Sequence, residues 1–140
     1  MESTPRLYDT LAHVLSQHEN WVDRRHLKTL ACMVVGLIAS GKISLTAWAP
    51  YGRSRAVYAQ STVRRFARWL GNERLDVHAL YGPLIQQALV EWSNHRVYLA
   101  LDTSMLWNPY CLVRVSIVYR GRAIPIVWTV LEHRSRRVAL

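Results

Sequence analysis

The spacing of apolar residues changes once along this 140-residue chain, near residue 95, and that change limits its fold more than any other feature. Upstream, apolar positions recur with the period of a helix that buries one face. Downstream they form short runs and alternations of strand type. The expectation is an α+β chain, with an N-terminal helical bundle over residues 1–94 and antiparallel strands over residues 95–140.

Within the first part, a helix opens near Thr4 with Pro5 at its first position, where a missing N–H is harmless. Leu7, Leu11, Val14 and Leu15 share one of its faces. A second helix spans about Val22 to Ser40, with Asp23 near its positive end and Gly41 at its stop. Its core stripe is Leu27, Leu30, Ala31, Val34 and Ile38; with Cys32, Met33 and Leu37 added it is apolar nearly all round, which marks a central helix. Residues 43–58 hold Pro50 and Gly52 and read as short helical turns and a loop. A third helix covers about Gln60 to Leu70, with Val63, Phe66, Ala67 and Leu70 inward and Ser61, Arg64, Arg65 and Arg68 outward. A last helix runs from about Asp76 to Trp92, with Val77, Leu80, Leu84, Ala88 and Leu89 inward; Pro83 implies a kink or a later start.

Three strands follow. Residues 97–101 are a continuous apolar run ending at Asp102, Cys111 to Tyr119 alternates in part, and Ala123 to Leu131 is the third strand. Tyr119-Arg120-Gly121-Arg122 has the chemistry of a tight hairpin turn, with Gly121 at positive φ. Pro125 cannot donate to a ladder and belongs at a strand start or a sheet edge. Three strands in meander order leave an open edge and a face needing cover, so the strand part reads as an interrupted domain, weaker than the helical part.

Charge narrows the partners. Against 9 Asp and Glu stand 18 Lys and Arg, a net +9, and Lys28 and Lys42 are the lysines among them. Guanidinium groups suit phosphates and guanine edges, so the balance points to nucleic acid. Cys32 and Cys111 form no CxxC pair and sit in apolar runs, as buried thiols of a reducing compartment do. The histidines show no metal-ligand spacing. The N-terminus lacks a signal-peptide pattern, and the uncharged stretch 29–41 is too short to cross a bilayer, so the expected location is cytoplasmic, without a membrane partner.

Two sets of residues could carry chemistry. Asp102, in Leu99-Ala100-Leu101-Asp102-Thr103-Ser104, is a carboxylate at the end of an apolar strand. Such a group calls for pairing, hydrogen bonds or a metal. The plainer reading makes it a turn-capping Asp with Thr103 and Ser104 as turn partners. The second set is Arg64, Arg65 and Arg68 on one helix, with Arg53 and Arg55 in the loop before it. No acid lies between Arg53 and Gly71, which favours contact with DNA over a merely solvated face. Trp48, Tyr51, Tyr58 and Trp69 read as packing residues.

The strings YLALDTSMLW and LVRVSIVYRGRAIPIVWTVLEH resemble the start of the catalytic domain in transposases of the IS4 insertion-sequence family, where a strand ends in the first Asp and a hairpin follows. The second strand of that hairpin opens with a stretch here represented by Gly121-Arg122-Ala123-Ile124-Pro125, and Trp128 and Glu132 extend the likeness. In the helical part, a leucine-rich helix ending Ser40-Gly41 and the string STVRRFARWL are also similar to the family. The resemblance implies an RNase H-like fold and a DDE transposase, in which three carboxylates hold two Mg²⁺ or Mn²⁺ ions for strand cleavage and transfer. It assigns Asp102 the place of the first catalytic and metal-binding carboxylate. The other two, including the Glu of the tyrosine-arginine-glutamate-lysine signature, would lie beyond Leu140, which implies an incomplete metal site in a truncated chain. Glu132 is not a metal ligand in that pattern. The implied partners are double-stranded DNA, as terminal inverted repeats and target, and a second copy of the chain as a homodimer. The alternative is a non-catalytic DNA-binding protein or truncated regulator of transposition.

Overall fold

The computed structural model describes residues 3–17, 21, 23–53 and 58–132. These form an α+β chain that divides into two compact units, Met1–Leu80 and Tyr81–Leu140.

The first unit is helical. Helix α1 spans Ser3–Ser16 and α2 spans Arg24–Ser40. Asp23 caps α2, its carboxylate accepting from the Arg25 amide, and Gly41 ends it in the left-handed region at φ 62, with its N–H on the Leu37 carbonyl. Gly41 is the expected αL stop, while Asp23, expected as a favourable charge inside the helix start, stands one residue before it as the N-cap. The short helix α3, Leu45–Trp48, continues into a single turn, Ala49–Tyr51. Helix α4 is Ala59–Leu70; α5, Val77–Leu89, starts at the end of this unit, and its residues from Tyr81 onward belong to the second.

Helix α2 touches α1, α3 and α4 and is the hub of this unit. Its buried residues are Leu27, Thr29, Ala31, Cys32, Met33, Val35 and Gly36. Leu27 and Ala31 are therefore inward as expected. Leu30 and Val34 are half-buried and Ile38 is exposed, because neighbours on several sides bury a broad face rather than a narrow stripe. The core proper is Cys32, Met33, Trp48 and Phe66, with Tyr8, Leu30, Leu45, Ala47 and Trp69 packed around it. Gly36 makes this core possible: a Cβ there would lie 2.5 Å from the Trp48 Cβ and 2.8 Å from its Cα. Only a residue without a side chain lets the two backbones approach so closely.

Helix α4 corrects the expected inward face. Thr62 and Phe66 are buried and Trp69 is half-buried, whereas Ala67 is exposed and Leu70 is 57% exposed. The small Thr62 fits under Gly52, whose built Cβ would sit 3.2 Å from the Thr62 Cγ2, and the two aromatic side chains take the remaining inward space. Helix α5 starts well before Pro83 and runs through it, so the later start does not occur. None of its residues is fully buried: Leu80, Leu84 and Leu89 are half-buried, and Val77 and Ala88 are exposed.

The second unit holds β1 (Leu99–Leu106), β2 (Tyr110–Tyr119) and β3 (Arg122–Glu132) in the order β1-β2-β3, all antiparallel. Arg120 at φ 49 and Gly121 at φ 74 make the two-residue turn between β2 and β3, as the sequence requires. Pro125 lies on β3, an edge strand, beside a bulge that leaves Ile126 unopposed between the pairs Ser116–Pro125 and Val115–Val127. Its carbonyl accepts from the Tyr81 hydroxyl at 2.7 Å, and the Tyr81 ring stands edge-on to Trp128 at 5.0 Å. Strand β1 does not end at Asp102. Thr103 to Leu106 continue the ladder opposite Val113 to Tyr110, and the reversal comes at Trp107, with φ 49.

Among the described residues no single helix is long and apolar enough to cross a bilayer.

Two glycine substitutions should have opposite signs. Gly36→Ala forces Trp48 off α2 and should destabilise the helical unit by about 1–3 kcal/mol, the range for overpacking. Gly82→Ala, inside α5 with nothing within 4 Å of the added Cβ, should be neutral or stabilising by up to about 1 kcal/mol. Denaturant unfolding followed by tryptophan fluorescence and circular dichroism measures both; equal effects would sink the close-approach account.

Candidate functional site

The carboxylate of Asp102 stands in the middle of β1, directly opposite Arg114 of β2. The Arg114 Nη2 donates to its Oδ2 at 2.7 Å. Both side chains are partly open to water, with 49% of the Asp102 side chain and 38% of the Arg114 side chain exposed. The expectation of a carboxylate at the end of a buried strand is corrected: Asp102 is a mid-strand, half-exposed member of a cross-strand ion pair. Its charge is compensated by ordinary sheet chemistry. Trp128 lies opposite Arg114 on the other side, and the Arg114 Nε is buried without a hydrogen-bond partner. The guanidinium thus faces Asp102 with one part and sits shielded with another. Glu132 ends β3 opposite Tyr110, two strands over and four residues along from the row that holds Asp102. Among the described residues no group of three or more His, Cys, Asp or Glu side chains gathers where a metal ion could sit.

The arginines separate into distinct environments. Arg53 turns onto α1: its Nη1 lies 3.0 Å from the Asp9 Oδ1, its Nη2 reaches the Pro5 carbonyl at 3.3 Å, and its guanidinium lies over the Tyr8 ring at 4.5 Å. Arg55 lies outside the described residues. Arg64 and Arg68 are exposed on α4, and the Arg68 Nε points back to the Arg64 carbonyl at 3.4 Å. Arg65 is half-buried instead of fully outward, with its Nε and Nη2 buried and unpartnered. It shares the inward side of α4 with Phe66 because its aliphatic stem can line the core while part of the head stays near the surface.

Sequence reasoning missed the residues that meet Arg65 and Arg68 across space. Arg25 and His26, from the first turn of α2, and Asn72, after α4, line the same groove as those two arginines. Trp69 joins the walls, its Nε1 donating to the His26 carbonyl at 3.1 Å. The missed signal was the run Arg24-Arg25-His26 at a helix start, basic residues where a helix dipole favours acids. Asp23 relieves that placement. Its carboxylate takes the Arg25 amide and the Arg25 Nε, both at 2.8 Å, and these bonds hold its pKa below the usual 3.8, the backbone bond contributing most.

Of the aromatic residues expected to pack, Trp48 and Trp69 do so, while Tyr51 and Tyr58 are exposed. Burial pushes the Tyr8 hydroxyl pKa up, and the nearby Cys32 adds to the rise while Arg53 and Arg65 oppose it.

No family model, curated protein or solved structure matches this chain.

Two measurements follow from these geometries. The Asp102–Arg114 pair is too exposed to hold the sheet together, so Asp102→Asn and Arg114→Gln should each change unfolding stability by less than about 1 kcal/mol; a much larger loss would make Asp102 a structural residue. For Asp23, the lowered pKa means the cap stabilises fully above the usual carboxylate pKa and less as pH falls through the lowered value. Thermal midpoints should therefore fall below pH 3.8 less steeply in Asp23→Asn, which keeps a capping acceptor but cannot titrate. An unchanged acid limb would remove Asp23 from the acid response.

Proposed function

We propose that this chain is part of a DNA transposase of the IS4 insertion-sequence type, its helical unit binding DNA of the element ends and Asp102 serving as the first carboxylate of metal-dependent strand cleavage and transfer. The observation that carries the reading is the placement of the family-like strings. Asp102 lies on the first strand of an antiparallel meander, Gly121-Arg122-Ala123-Ile124-Pro125 leads from its second hairpin turn into the edge strand, and STVRRFARWL forms a helix rich in arginine. In this reading the meander is the opening of an RNase H-like sheet. The net charge of +9 supports a polyanionic partner, and a second copy of the chain and target DNA belong to the same proposal.

In that role Mg²⁺ or Mn²⁺ would polarise the phosphodiester and activate the attacking oxygen. A hard cation needs several oxygen ligands, and Asp102 offers one carboxylate that already accepts from Arg114. The described residues do not fit a complete two-ion centre. What they do here is smaller: the ladder fixes the direction of the Asp102 side chain, and Arg114 compensates its charge. That ion pair favours a second reading, a non-catalytic DNA-binding protein or regulator of transposition, in which the pair is purely structural.

The proposal has a direct test. Binding of duplex DNA should weaken steeply with salt, and Arg64→Ala, Arg65→Ala and Arg68→Ala together should flatten the slope of log K on log salt by about 0.9 for each phosphate that is no longer neutralised. A triple variant that binds as the parent does would place the contact surface elsewhere. With Mg²⁺ or Mn²⁺, the 140-residue chain should leave plasmid DNA uncut. Nicking that vanishes in Asp102→Ala would instead mean that a working centre forms around Asp102, and would dismiss the non-catalytic reading.

A further inference from the structure

The first turn of α2 and the second half of α4 enclose an open groove of about 370 Å³. Arg25, Arg65 and Arg68 line it together with His26 and Asn72, and the Arg25 head is anchored at its margin by Asp23 through Nε and Nη2, both at 2.8 Å. The walls are fixed to each other by the Trp69–His26 bond. Asn72 accepts from the Arg74 amide at 3.1 Å through its Oδ1, which leaves its NH₂ as a donor.

Arg65 is the residue that makes the groove more than a patch of surface charge. Its Nε and Nη2 are shielded from water and have no acceptor, and its guanidinium lies 5.5 Å from the Phe66 ring centre. A cation that has lost part of its hydration without gaining a counter-charge is destabilised, and an anion placed nearby restores the balance more effectively than it would for a fully solvated arginine. The anion that matches several guanidinium forks and further donors is a phosphate.

We propose that this groove holds a phosphate group of a DNA backbone, with Arg25, Arg65 and Arg68 sharing its charge and His26 and Asn72 adding hydrogen-bonding groups. The inference rests on the DNA-binding reading above and deepens it: α4 works with α2 as a backbone clamp, rather than reading bases as a single helix. Phosphate contacts position a protein on DNA without specifying sequence, so the groove should act equally on unrelated sequences.

The experiment uses the full ¹⁵N-labelled chain, two DNA duplexes of unrelated sequence, and inorganic phosphate as a separate probe. Both duplexes should shift the Arg65 Nε–Hε resonance and the amides of Arg25, Arg68 and Asn72. Arg25→Gln and Arg68→Gln, at exposed positions, should each weaken both duplexes by the same factor and flatten the salt slope by about one. Arg120→Gln, in the β2–β3 turn, removes the same charge elsewhere and should leave the slope in place. If the chain binds duplex while the Arg65 resonance stays still and both groove variants keep the parent slope, the groove assignment falls and the DNA-binding reading stands. If inorganic phosphate moves these resonances but neither duplex binds, the ligand is a free phosphate, which overturns the backbone assignment together with the DNA reading. If neither probe moves them and neither duplex binds, both fall.

Discussion

Helix α2 and the turn that carries Trp48 meet at Gly36, and most of the helical unit depends on that meeting. With no side chain at position 36, the Trp48 indole drops into the space beside Cys32, Met33 and Phe66, and its Nε1 finds the Lys42 carbonyl at 2.6 Å. An indole buried so deeply needs that acceptor, since an unsatisfied N–H would offset much of what the ring gains by burial. Phe66 is fully buried in the same cluster and sets the roll of α4 about its axis. That roll brings Trp69 to the His26 carbonyl and Arg65 into half-burial. The basic groove is thus a consequence of core packing: the side chains that could meet an anion are aimed by residues that never reach it.

The sheet unit follows another constraint. A three-stranded meander has two edges, and proteins keep edges from pairing with other chains by proline, bulges and charge. Strand β3 carries Pro125 and the Ile126 bulge together, and Tyr81 ties the Pro125 carbonyl to the unit. Strand β1 carries Asp102 midway along, a charge on a strand whose Leu99, Leu101 and Met105 are exposed on the opposite face. The alternation of the pleat separates the two: residues 99, 101 and 105 face one way, and Ala100, Asp102 and Ser104 the other. A one-residue slip would turn Asp102 to the apolar face and break its pairing with Arg114, so the ion pair contributes to register even where its contribution to stability is small.

Much of this was legible in the sequence, and the failures share a physical cause. Local chemistry was readable: Asp23 and Gly41 bound α2, Gly121 makes the hairpin, and Pro125 finds an edge. Each of those signals acts within a few residues. The inward face of α4 was not readable, since Leu70 and Ala67 lie as well on a helical stripe as Thr62 and Trp69 do, and the choice was made by the close packing of Thr62 and Phe66 against Gly52 and by the core around Trp48. Burial in α2 exceeded its apolar stripe for the same reason. The end of β1 was misplaced because Thr103 and Ser104 suit a turn and a strand alike, and the partner strand decided between them. At the candidate site, Arg65 and Arg68 were visible as charge, while Arg25 and His26 were not linked to them because about forty residues of chain separate the two helices, a distance only tertiary packing closes.

The distribution of arginines also bears on how a basic surface can be used selectively. Arg53 has an acid, a carbonyl and an aromatic face around it, and its charge is already engaged at α1. Arg114 is committed to Asp102. Arg65 differs from both: its Nε and Nη2 are buried with no hydrogen-bond partner among the described residues, and it lines the groove with Arg68 of its own helix and with Arg25 of α2, which Asp23 holds. A net charge of +9 attracts any polyanion at long range, and salt screens that attraction over about 8–10 Å. What survives screening is contact with donors whose hydration is already reduced. Under the proposed clamp, binding would be concentrated at one groove, and the solvated Arg64 on the same helix would add only to the long-range attraction.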